Sequence, residues 1–161
     1  MSEMSKPYLG IISGESRRSH ADTADRASRI AGGLGRLGVR EGDSVCMLMR
    51  NDIAFVEAAY GAMQLGAYGV PVNWHFKPEE INYILRDSGT SVLIGHADLL
   101  HQLRDAVPKG VTVLSVPTPP EILAAYKIDP GHLAKPDFAR DFEIALHGDF
   151  IGEFERKKQK E

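Results

Sequence analysis

The stretch SVCMLMRNDIAFVEAAYGAMQLGAYGVPVNWHFKPEE, residues 44–80, sets the fold class. Its first six residues are almost continuously apolar and too short for a helix of their own, which describes a strand buried on both faces. Asn51 caps a helix predicted over Asp52–Leu65, with Phe55 or Val56, Ala59, Tyr60 and Met63 inward and Gly66 as its stop. Tyr68–Val72 reads as a second strand. Pro78, Glu79 and Glu80 then open a second helix, with proline and negative charge in the first turn, where backbone amides are unpaired and the dipole is positive.

The same alternation continues downstream. The second helix ends near Ser88 and Gly89; Val92–Ile94 is a third strand, Ala97–Val107 a third helix and Val111–Val116 a fourth strand. Strands that are apolar on both faces and separated by helices imply a parallel sheet covered on both sides, linked by right-handed crossovers. The fold class is therefore α/β, a mostly parallel sheet with flanking helices.

Upstream, residues 7–19 read as an N-terminal β-hairpin, with Tyr8–Ile12 apolar, Ser13-Gly14-Glu15-Ser16 as the turn and Arg17–Ser19 pairing back. Ser19 can cap a helix whose Ala24, Ala27, Ala31 and Leu34 share a face and which Gly38 stops. Gly32, Gly33 and Gly35 weaken that helix by up to ~1 kcal/mol each relative to alanine, which predicts close packing against a neighbour as compensation. After Val116, Pro117, Pro119 and Pro120 break the pattern; Glu121–Tyr126 is a short helix, residues 129–131 and 135–137 are turns, and Asp137–Leu146 is one more helix. Two units result: an α/β unit over residues 7–146 and a charged C-terminal tail over 147–161.

Composition excludes several function classes. Nineteen Lys and Arg against 22 Asp and Glu leave a net charge of −3, without the basic excess that gripping a phosphate backbone needs, so nucleic acid is not an expected partner. No run approaches the ~18 apolar residues of a membrane span, and the single cysteine, Cys46, lies in the apolar run as a small buried hydrophobe. A reducing, cytoplasmic location is the expectation.

Chemical motifs are sparse. IAGGLG at Ile30–Gly35 lies within a helix instead of between a strand and a helix, so it does not meet the context of a dinucleotide loop. His96 and His101 miss the helical spacing that would bring both rings to one metal. The segment Val70–Glu80 runs off a strand into a helix start, at the carboxyl end of the sheet where ligands of parallel sheets sit. Trp74 and His75 are its candidate substrate contacts, against a purely structural role in packing and hydrogen bonding. No catalytic, cofactor-binding or metal-binding residue is assigned.

In order, residues 26–94 carry a glycine-ended helix followed by Val39 and the Gly42-Asp43 turn; a strand running into Arg50-Asn51; and a helix leading to Gly66-Ala67. Val70-Pro71-Val72-Asn73, then Pro78-Glu79-Glu80-Ile81, then Asp87-Ser88-Gly89 complete the series. This succession resembles the opening region of acyl-coenzyme A synthetases of the adenylate-forming superfamily, and the likeness extends more loosely over residues 8–145. It implies a two-step reaction in which ATP and a carboxylate give an acyl-adenylate and pyrophosphate, and coenzyme A thiol then displaces AMP. ATP, Mg2+ and CoA are the implied cofactors of the whole enzyme. The family's Ser/Thr/Gly-rich phosphate loop, its aromatic-Gly-x-Thr-Glu segment, its ribose-binding aspartate and its catalytic lysine do not occur between Met1 and Glu161. The expectation is an N-terminal portion of such a ligase that binds none of these cofactors and is inactive alone. The competing expectations are an assembly module that forms a homo-oligomer, or pairs with a full-length synthetase, through the uncovered side of its sheet, and an unrelated nucleotide-binding α/β protein. For the ligase portion itself, exposed apolar surface on the helix holding Phe55 and Tyr60 is expected to favour association.

Overall fold

Hydrophobic residues alternate in destination along the first parallel strand: Val45 and Met47 enter one core, Cys46 and Leu48 the other. This is the signature of a sheet sandwiched between two helix layers. The description rests on a computed structural model, which describes residues 9–13 and 16–148. In chain order it contains β1 (Gly10–Ser13), β2 (Ser16–Ser19), α1 (His20–Arg36), β3 (Ser44–Leu48), α2 (Ile53–Gln64) and β4 (Tyr68–Pro71). Then come α3 (Pro78–Asp87), β5 (Val92–His96), α4 (Ala97–Leu100), β6 (Thr112–Val116), α5 (Pro120–Tyr126) and β7 (Arg140–Asp141). Strands β1 and β2 form the antiparallel N-terminal hairpin, and the other five form one sheet in the order β4-β3-β5-β6-β7, every pair parallel. Pro7, Tyr8, Gly14, Glu15 and most of the tail, residues 149–161, lie outside the described residues.

Helices α1 and α2 cover one face, where Ile30, Leu34, Ala58 and Ala62 meet Val45, Met47, Ile94 and Leu114. Helices α3 and α4 cover the other, where Ile81, Leu85, Leu99 and Leu100 meet Cys46, Leu48, Leu93 and Val113. Ser19 caps α1 by accepting the Asp22 amide at 3.1 Å, and Gly38, at φ 96°, turns the chain out of it. The glycines of α1 and α2 mark close approach: a Cβ on Gly33 would stand 2.7 Å from the Leu146 backbone, and one on Gly61 would stand 2.5 Å from an Ile30 methyl.

The structure corrects the sequence expectations at four places, the first being α2. The inward face of α2 is Ile53, Glu57, Ala58, Gly61 and Ala62, while Tyr60 and Met63 are 47% and 66% exposed. The buried face of the helix lies nearly opposite the one the apolar pattern selects. The cause is Glu57, a carboxylate that hydrophobicity assigns to solvent but that Arg18 and Arg26 hold inside at 2.6 and 2.9 Å. Asp52, not Asn51, is the cap, its carboxylate accepting the Ile53 amide at 2.7 Å. Second, β4 is an exposed edge and not a strand buried on both faces.

Third, the helix predicted over Ala97–Val107 is only α4 followed by a 3-10 turn, His101–Leu103, since Leu99, Leu100 and Leu103 already fill the space over the sheet and the chain then turns toward Pro108. Fourth, Asp137–Leu146 is not one helix. Arg140 and Asp141 pair with Leu114 and Ser115 as a short fifth strand, followed by a π-helical turn over Ile144–Gly148 whose Leu146 seats on Gly33.

Candidate functional site

Parallel strands bring their carboxyl ends to one edge of the sheet, and the polar residues that the sequence places just beyond each strand converge there. Arg50 follows β3, Trp74 and His75 follow β4, His96 ends β5, Asp98 opens α4 and Thr118 follows β6. The Arg50 side chain is 8% exposed and meets Asp98 with both terminal nitrogens, Nη1 to Oδ1 at 3.1 Å and Nη2 to Oδ2 at 2.9 Å. This paired fork fixes the plane of the guanidinium. Thr118 donates its hydroxyl to Asp98 at 2.7 Å, tying the end of β6 to the pair. Burial opposes ionisation of Asp98, but hydrogen bonds from Arg50 and Thr118 outweigh it and hold its carboxyl below the usual carboxylate range.

Two aromatic rings pack against the guanidinium: Trp74 and Tyr126 each have their centroid 4.8 Å from the Arg50 Cζ. The rings meet each other edge to face at 5.3 Å and 84°. Arg50 Nε is buried without a hydrogen-bond partner. Behind this cluster, fully buried His96 accepts the Arg50 amide at Nδ1, which puts its proton on Nε2, 3.3 Å from the Asp52 carboxylate. Both ring nitrogens of His96 are committed to holding β3, β5 and the start of α2 together, which leaves it no free nitrogen for proton transfer.

Of the two residues singled out from sequence, Trp74 is half-buried and His75 is exposed. Their rings stack at 3.7 Å, and the His75 amide donates to Asn73 at 2.9 Å. The structure therefore brings them together, with the outward side of the pair open and the inward side closed by Arg50 and Tyr126. His96 enters the sequence reading only as a rejected metal ligand and Arg50 only as the end of a strand, while Asp98, Thr118 and Tyr126 carry no local signal for the site. His101 is engaged away from His96, stacking on His132 at 4.9 Å and bonding the Ala134 carbonyl at 2.7 Å. No group of three or more His, Cys, Asp or Glu side chains arranged to hold a metal occurs among the described residues.

The nucleotide that the resemblance implies would have to be held by these residues. One cation, Arg50, stands against two carboxylates, Asp98 and Asp52, and both of its terminal nitrogens are bonded to Asp98. A triphosphate requires surplus positive charge and free amide donors. These residues do not fit it. A cleft of about 660 Å³ elsewhere, between α3 and the turn after α4, carries Arg86, Arg104 and His101 but also Glu79 and Asp105, and Arg104 is paired with Asp137 at 2.6 Å. It is a balanced surface and not a phosphate cradle.

Comparison with known proteins agrees with the order of elements. The family model described as AMP-binding enzyme matches residues 4–141. The long-chain-fatty-acid–CoA ligase FadD13 of Mycobacterium tuberculosis is 41% identical over 78 residues, 48% of this chain and 16% of that protein. The feruloyl-CoA synthase of Amycolatopsis sp is 33% identical over 126 residues, 74% of this chain and 26% of that protein. Among solved structures, the anthranilate CoA ligase AuaEII in complex with anthranoyl-AMP superposes with a TM-score of 0.63 at 27% identity, over 68% of this chain and 22% of that one. The chain spans between 16% and 26% of the length of these curated relatives. On the match over residues 4–141, the chain belongs to the AMP-binding enzyme family, whose relatives here are acyl-CoA and aryl-CoA ligases.

Proposed function

We propose that this chain is the front part of a carboxylate-activating acyl-CoA ligase, supplying scaffold and not chemistry, and that alone it forms neither acyl-adenylate nor thioester. The observation that carries the reading is the family match over residues 4–141, taken with the lack, from Met1 to Glu161, of the phosphate loop and catalytic lysine of the resembled synthetases. In the whole enzyme ATP, Mg2+ and CoA would act with a carboxylic acid substrate. The part of this chain nearest that chemistry would be the carboxyl edge of the sheet, with Trp74 and His75 as its outward contacts. Incubation of the chain with ATP, Mg2+, CoA and a panel of carboxylic acids should release no pyrophosphate above background. Sustained release that depends on the acid would overturn the reading.

A second reading, self-association, is favoured by one observation. Tyr60 and Met63 stand exposed beside His20, Thr23 and Ala24, lining a cleft of about 240 Å³ between α1 and α2. Exposed apolar patches of this kind mark contact surfaces. Sedimentation at micromolar concentration separates the readings: a dimer that Met63→Asp disperses supports association, and a clean monomer rules it out.

A further inference from the structure

After β6 the chain does not return directly to β7. Residues 117–135 cross the carboxyl edge of the sheet, and Tyr126, at the end of α5, reaches past the end of β5 to touch Arg50 beyond β3 and Trp74 beyond β4. Between residues 119 and 135 only Ile122 is buried. The segment meets the body through few polar and ring groups: Thr118 on Asp98, Tyr126 on Arg50 and Trp74, His132 stacked on His101, the Ala134 carbonyl on His101 and, at its end, Lys135 on the Ala139 carbonyl. Lys127, next to Tyr126, has φ 49°, the left-handed region that residues other than glycine rarely adopt. A segment with little burial, few anchors and one strained residue opens at much lower cost than the sheet beneath it.

The half of the contact belonging to the body is rigid. Arg50 is held by its fork to Asp98, and Trp74 rests on that guanidinium, so both stay in place when Tyr126 leaves. We propose that residues 117–135 are a strap across the carboxyl edge, latched by Tyr126 on the Arg50 guanidinium, and that its release uncovers Trp74 and Arg50 side by side. This inference stands on the contacts alone and does not depend on the ligase reading.

The chain supplies its own probes. Lys127 is the one position in the strap that trypsin can cut, because Lys135 precedes Pro136, and Trp74 is the sole tryptophan. Limited trypsinolysis of the full chain should cut after Lys127 while Arg26 and Arg29 of α1, Arg50 after β3 and Arg86 of α3 stay intact. Tyr126→Ala should raise that rate about tenfold and shift Trp74 emission to the red, whereas Tyr126→Phe, which keeps the ring on the guanidinium, should stay within about twofold of the parent. Equal rates for Tyr126→Ala and the parent overturn the proposal, as does faster cutting spread evenly over the whole chain. Hydrogen exchange on the unaltered chain gives a test without a variant: backbone amides of 119–135 should exchange well before those of β3 and β5, and equal protection overturns the strap.

Discussion

Glu57 of α2 accepts Arg26 of α1 at 2.9 Å with 1% of its side chain exposed, and Arg18 of the hairpin closes on its other oxygen at 2.6 Å. Arg26 also bonds Glu143, so the hairpin, α1, α2 and the segment after β7 join in one ion-pair cluster. Burial works against the Arg26 charge, but the hydrogen bonds to Glu143 and Glu57 prevail and raise its pKa. Removing Glu57 leaves two partly exposed guanidinium groups and an empty site, a loss of about 3 kcal/mol. For Glu57→Ala the urea midpoint should fall by about 1.5 M at a slope near ~2 kcal/mol/M, with the slope unchanged. A fall under about 0.3 M would contradict an inward-facing Glu57.

Two glycines of α1 should respond with opposite sign. A Cβ at Gly33 meets the backbone of Leu146 at 2.7 Å, whereas at Gly35 the nearest atom is the Leu65 Cδ1 at 3.8 Å, ordinary contact. Gly33→Ala therefore forces the π-helical turn away and should destabilise by about 1–3 kcal/mol in spite of its better helix propensity. Gly35→Ala keeps the propensity gain and should stabilise by up to ~1 kcal/mol. Thermal denaturation of the two variants checks the sign; equal shifts would show that the turn does not pack on Gly33.

How much was legible in sequence follows from these same residues. The alternation of apolar strands with capped helices gave the parallel sheet, because period and punctuation are local properties. Glu57 turned α2 away from its apolar stripe because its partners lie 31 and 39 residues upstream, and no local pattern encodes a pair of arginines arriving from elsewhere. At the carboxyl edge Trp74 and His75 could be found from the strand-to-helix junction alone. Arg50, Asp98 and Tyr126 could not, since their meeting depends on strand order and on the path of residues 117–135. The short β7 was hidden for the same reason: two residues carry no periodicity, and their strand character comes from the β6 edge they pair with.

Asp98 should make the carboxyl edge sensitive to acid. Its folded pKa lies below the unfolded one, so the unfolded chain takes up the proton first. The stabilisation is full above the ordinary carboxylate value near ~3.9 and is lost as pH falls through the lower folded value. Asp98→Asn removes this contribution, so its stability should fall less steeply than the parent's below about pH 4, while at pH 7 it is the less stable of the two. Chemical denaturation at a series of pH values measures both; parallel curves would show that Asp98 is not ionised against Arg50.

The scaffold reading is tested most directly by titrating the chain with ATP and Mg2+ in a calorimeter, with the folded state verified in the same sample. The account predicts no saturable heat, because Arg50 is neutralised by Asp98 and the carboxyl edge carries no surplus positive charge among the described residues. A stoichiometric isotherm with a defined midpoint would contradict it.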